Sequence, residues 1–175
     1  MKALVLGLGN RMYGDDGFGS CLAEFLSKQK IENVDVKDGD YMGLGLLGWL
    51  EGYDLVIFID AANPETVKNE IELLKIDPSK ATVEEVSELV TDAHKVGPVQ
   101  LAALAKKSGI FDGEAFLVAL RAEKVCWPCS MRDEAMKLAP KAIELINKVL
   151  SSRGFKTFSS EGVVQWIKEN CSEYY

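Results

Sequence analysis

Five consecutive apolar residues, Leu55-Val-Ile-Phe-Ile59, stand between Asp54 and Asp60. A strand with one wet face alternates apolar and polar side chains, so an uninterrupted apolar run needs cover on both faces. The run is far too short to span a bilayer. It therefore predicts the centre of a mostly parallel sheet sandwiched between helical layers. The rest of the chain supplies matching pieces. Lys2 to Leu8 reads as a short buried strand ending in glycines, Val34 to Lys37 as a second strand, and Ala115 to Leu120 as another. Phe18, Cys21, Leu22, Phe25 and Leu26 recur at helical spacing, which predicts a helix over about 17–29. Pro98 suits the first turn of a helix running to Lys107, and Gly109 ends it. Met42 to Leu50 predicts a short helix and Gly162 to Asn170 a last small one. A long helix is expected from about Ser130 to Leu150, kinked or weakly jointed at Pro140. Glu70 to Ile76 alternates and predicts a strand with one wet face; Thr82 to Val90 reads as a loop or a poor helix. Strands alternating with helices give a three-layer α/β/α sandwich. Residues 1–150 form its body. Residues 151–175 are expected as a C-terminal extension, linked through Ser151-Ser-Arg-Gly154 and packed on the same domain.

The 175 residues suit one domain, and 47% apolar with 27% charged residues is ordinary globular composition. The net charge of −7 disfavours nucleic acid or an anionic membrane as the main partner and tolerates a cation. Met1-Lys2 leads straight into a strand with no small-residue cleavage site, so the cytoplasm is expected. Four cysteines at uneven spacing do not make a secreted disulfide framework. The single histidine, His94, excludes two-histidine zinc peptidases and would have to serve any Ser-His-Asp triad.

The loop Gly7-Leu-Gly-Asn-Arg-Met-Tyr-Gly-Asp-Asp-Gly-Phe-Gly19 lies between the first strand and the first helix, where nucleotide sites are built. The dinucleotide pattern fails because Met12 stands where a glycine is needed. The P-loop pattern fails because Asp15-Asp16 replaces its Lys-Ser/Thr pair. Ionised carboxylates repel phosphate and donate no hydrogen bond. Either acid also suits a helix N-cap; the alternative is a cation site. Asp60 closes the central strand at the end where open α/β sheets bind ligands. Asp16 lies beyond the same end of the first strand. His94 sits in the polar loop Thr91-Asp-Ala-His-Lys-Val-Gly97 before a helix. Together they form an oxygen- and nitrogen-donor set for a borderline first-row metal such as nickel, zinc, iron or manganese, with positions left open. Taken singly, His94 also reads as an ordinary loop histidine and Asp60 as a strand-end cap.

Gly7-x-Gly-Asn10, then Asp15-Asp-Gly-x-Gly19, Asp38-Gly39, Asp60-Ala61 ending an apolar strand and His94 before a helix resemble, in order and spacing over residues 1 to about 150, the maturation endopeptidases of nickel-iron hydrogenases. The resemblance implies a mixed sheet of five strands with one antiparallel, residues 70–76 being that strand. It implies that Asp16, Asp60 and His94 contact nickel and carry the reaction, with Asp16 rather than Asp15 as the first acidic ligand. Asp38, Gly39 and Asn10 fall on the substrate side. The implied function is removal of the C-terminal extension from the nickel-loaded large-subunit precursor. The precursor is then the partner, nickel arrives with it, and a monomer is expected to act. Three departures stand out. Tyr41-Met42 replaces a Gly-Thr-like turn, residues 151–175 run past the usual end, and Cys126-Trp-Pro-Cys129 has no counterpart. That CxxC reads as structural, redox-active or metal-handling; Cys21 and Cys171 have no partner spacing with it. The competing functions are a metal-dependent peptidase or amidohydrolase of other substrates, a non-enzymatic nickel or assembly factor, and a redox protein.

Overall fold

The computed structural model describes residues 1–80 and 96–172. The strands are β1 (Ala3–Gly7), β2 (Val34–Asp38), β3 (Leu55–Ala62), β4 (Ile71–Ile76) and β5 (Glu114–Arg121). They form one sheet in the order β2-β1-β3-β5-β4. β2, β1, β3 and β5 run parallel, and β4 pairs antiparallel with β5 at the edge. The apolar run 55–59 thus occupies the middle of a mixed, mostly parallel sheet, as its pattern required. The helices are α1 (Phe18–Ser27), α2 (Pro98–Lys107), α3 (Asp133–Met136), α4 (Ala139–Ser151) and α5 (Val163–Cys171), with 3-10 turns at Gly14–Gly17, Gly43–Leu50 and Pro78–Lys80.

Side chains of the central strands alternate between two cores, as the two-residue period of a strand dictates. Ala3, Val5, Leu55, Ile57, Ile59, Val118 and Leu120 pack with α1, α4 and α5. Leu4, Leu6, Val56, Phe58, Leu117 and Ala119 pack with the Gly43–Leu50 turn and α2. β4 is a partly covered edge strand, with Ile71, Glu72 and Leu73 half-buried, Leu74 and Lys75 exposed and Ile76 buried.

Three expectations need correction. β3 continues two residues past Asp60, because Ala61 and Ala62 pair with Leu120 and Arg121 of β5, so Asp60 lies within the strand. The single helix expected over about 130–150 is two. Proline lacks an N–H and clashes with the carbonyl four residues back, so Pro140 sits in the first turn of a new helix, α4, after the short α3. Cys21 and Cys171 are paired, with Cα atoms 6.4 Å apart. The pairing follows from α5 packing on α1, where the Phe25 and Trp166 rings also meet at 5.7 Å. The expectation for Thr82 to Val90 falls outside the described residues.

Candidate active site

The register sets the geometry. Gly7, the last residue of β1, stands opposite Asp38 of β2 on one side and Ile59 of β3 on the other. Asp60 is one step further along β3, on the face toward α2 by the strand period. From β1 the chain goes to β2 on one side and later strands add on the other, beginning with β3, which makes this the switch point of the sheet.

The loop after β1 folds back tightly over that edge. Gly9 has φ of +127°, and a Cβ there would lie 1.8 Å from the Asp16 carbonyl oxygen. A Cβ on Gly19 would lie 2.1 Å from the Ile59 carbonyl oxygen. The glycines serve close approach of backbone to backbone, and this brings Asp16 over β3. The Asn10 N–H donates to Asp16 Oδ2 at 2.9 Å, and the Met12 N–H donates to Asn10 Oδ1 at 3.0 Å.

Asp15 and Asp16 have separate tasks. Asp15 is fully buried. It accepts the N–H groups of Glu123 (2.9 Å), Lys124 (3.1 Å) and Arg132 (3.1 Å), and pairs with Arg132 Nε at 2.7 Å. Its acceptor capacity is used inside the protein. Neither acid caps α1, whose N-cap is Gly17 without a side-chain bond. Asp16 lines a cleft of about 140 Å³ together with Asp60, Asp40, Tyr41, Leu46 and Val96. Burial raises the pKa of Asp16, opposed by the Asn10 N–H. Asp60 keeps some exposure at the cleft floor, yet the crowding around its carboxyl is the largest cause of a pKa raised to about 7. The charge of Asp16 adds to the rise, and the Ala61 N–H, donated to Oδ1 at 2.8 Å, opposes it. Two crowded carboxylates that repel each other's ionisation are a poor arrangement for anions and a good one for a cation. A borderline divalent metal fits this donor chemistry, with Asp16 and Asp60 supplying oxygen. His94 falls outside the described residues, and among those residues no group of three possible metal ligands gathers.

A larger groove of about 460 Å³ adjoins the cleft through Asp40 and Tyr41, and Asn10, Arg11, Ser20 and Asp38 also line it. Asp38 Oδ2 accepts from Ser20 Oγ (2.9 Å) and Arg11 (3.2 Å), and its Oδ1 accepts the Asp40 N–H (2.9 Å). Arg11 also pairs with Glu24 at 2.5 Å. Gly39 is buried below the groove, its N–H donated to the Gly7 carbonyl at 2.8 Å. Ser20 is held in this network and Cys21 is paired with Cys171, so neither stands as a free nucleophile. Sequence reasoning missed Asp40 and Arg11, and marked Tyr41 only as a departure from the family's turn. Asp40 takes a positive φ of 50°, and its carbonyl accepts the Gly9 N–H at 2.9 Å, which joins the two loops. Its place next to Asp38-Gly39 was the one available signal. Burial and the neighbouring Asp38 raise its pKa, and Arg11 opposes them.

No protein-family model matches the chain. It is 24% identical to the hydrogenase expression/formation protein HoxM of Azotobacter vinelandii over 91% of this chain and 77% of that protein. It is 24% identical to the hydrogenase 2 maturation protease of Escherichia coli over 93% of this chain and 99% of the other. Among solved structures, the hydrogenase maturating endopeptidase HybD from Escherichia coli superposes with a TM-score of 0.69 at 26% identity, covering 90% of this chain and 97% of that one.

Proposed function

We propose that this chain, a relative of the hydrogenase maturation endopeptidases and a hydrolase of peptide bonds, removes the C-terminal extension from the nickel-loaded large-subunit precursor of a nickel-iron hydrogenase. The observation that carries the reading is the meeting of Asp16 and Asp60 in one cleft at the switch point, beside a groove open to a peptide. Nickel enters as part of the substrate, held by the precursor's own ligands. Asp16, Asp60 and His94 would complete its coordination, so that docking would test whether the precursor is loaded. A bound divalent metal polarises a carbonyl or water and is worth several kcal/mol at the transition state. The chain's own residues position the scissile segment. Asn10 and Asp38 line the substrate side of the groove, with Gly39 buried beneath them. The enzyme is proposed to act as a monomer in the cytoplasm. Among the described residues no helix is long and apolar enough to cross a membrane.

The test is incubation with nickel-loaded precursor, followed by the mass of the product. Shortening of the loaded precursor alone is expected, with loss of cleavage in Asp16→Asn, Asp60→Asn and His94→Ala. Cleavage that persists in all three variants overturns the site assignment. Binding without shortening would make the chain an assembly factor.

A further inference from the structure

The proposed cleavage leaves Cys126-Trp-Pro-Cys129 unused. These residues lie between β5 and α3 and form a pair with Cα atoms 5.6 Å apart. Cys126 is exposed, as are its neighbours Val125 (59%) and Trp127 (63%), whereas Cys129 is only 8% exposed. One cysteine of the pair is therefore open to solvent and its mate is covered. The Cys21–Cys171 pair is the contrast, with both residues buried between α1 and α5.

The CxxC segment is bonded directly to the loop that carries the site acids. The Cys129 N–H donates to the Met12 carbonyl at 3.0 Å, and the Gly14 N–H donates to the Cys129 carbonyl at 3.0 Å. The Asp15 N–H donates to the Lys124 carbonyl at 2.9 Å. In return the Asp15 carboxylate takes the N–H groups of Glu123, Lys124 and Arg132, on both sides of the cysteines. Space is short as well, since a Cβ on Gly14 would lie 2.4 Å from the Lys124 carbonyl oxygen and 3.0 Å from Cys129 Sγ. The ring closed by the two cysteines thus fixes the segment whose donors hold Asp15, and Asp16 is the next residue.

We propose that Cys126 and Cys129 form a thiol–disulfide exchange site for dithiol reductants, and that its redox state sets the order of the loop bearing Asp15 and Asp16. The consequence for cleavage, though not the exchange chemistry, rests on the reading of Asp16 as a site residue. A thiolate of the reductant attacks the Sγ of Cys126, the exposed residue of the pair, the Cys126–Cys129 bond breaks, and Cys129 leaves as thiolate. The reductant's second thiolate then attacks its own sulfur in the mixed disulfide and releases Cys126. The protein pair gains two electrons and two protons, and the reductant ends as a disulfide.

The test poises native protein in dithiothreitol at graded reduced-to-oxidised ratios, then alkylates and maps the labelled peptides by mass. Cys126 and Cys129 are expected to label together over a narrow range of ratios, with Cys21 and Cys171 unlabelled until denaturant is added. Amide exchange over residues 10–16 is expected to quicken several-fold on reduction. The double variant Cys126→Ser/Cys129→Ser should show the reduced form's exchange at every ratio while keeping native circular dichroism. Cys129→Ser alone should capture one equivalent of glutathione from glutathione disulfide. Resistance of the pair at every ratio, labelling of all four cysteines at once, or reduction with unchanged exchange over 10–16 overturns the proposal. Labelling and exchange need no precursor, so their failure is separable from a failure of cleavage.

Discussion

Asp60 puts stability and chemistry in opposition. Its folded pKa is raised to about 7 from an ordinary 3.8. Between those values the folded state holds a proton that the unfolded state has released, so stability falls as pH rises through that window and stays low above it. Asp60→Asn removes the charge, and its stability over the parent is expected to grow from nothing below about pH 4 to about 2–4 kcal/mol at pH 8. Thermal melts across that range check the sign. Under the proposed function cleavage is expected to run the other way, because a proton would compete with the substrate's cation for the same oxygen. Activity on loaded precursor is expected to drop as pH falls below about 7, and a profile flat from pH 5.5 to 8 would contradict it. Asp15 is a separate case. Replacing it with Ala leaves Arg132 and three N–H groups without their acceptor, at a cost of about 3–5 kcal/mol, which urea melts should register. The pair Asp16 and Asp60 could be read from the sequence because glycine spacing marks the loop and an apolar run marks the strand. Asp40 and Arg11 could not, since their placement depends on a positive φ and on a network between α1 and β2.

Helix ends followed local chemistry closely. Pro98 opens α2 and Pro140 opens α4, each in a first turn whose N–H groups make no bond within the helix. The break before α4 was foreseeable as a joint, because Pro140 marks it in the sequence. α5 was visible as an amphipathic segment, with Val163 and Ile167 now buried at 1% and 0% exposure. What sequence spacing concealed was its partner. Two cysteines 150 residues apart give no local signal, and only the packing of α5 on α1 brings them together. A link of that span removes about 5 kcal/mol of chain entropy from the unfolded state in the simplest treatment. Cys21→Ser/Cys171→Ser is expected to lose about 2–5 kcal/mol, read by denaturant midpoint with the slope compared between the two proteins. Ile167→Ala, which empties part of the core under α5 without touching sulfur, should cost about 2–5 kcal/mol.

Across the molecule, the sheet order places two acids from distant parts of the chain at one edge and leaves β4 as the antiparallel flank. Periodicity sufficed for the layers, since each central strand alternates between two apolar cores. The strand order needed long-range pairing, which no local pattern encodes. Hydrogen exchange should follow the order of burial, with β1 and β3 amides slowest and those of β4 faster; equal protection in β3 and β4 would contradict the layering. The link between Cys21 and Cys171 has one more effect. It ties the first helix to the last, so nearly the whole chain lies inside a single covalent loop. A protease that nicks any one bond between them makes two fragments that still travel together, and an electrophoresis gel will show the cut only after the sample is boiled with a reducing agent.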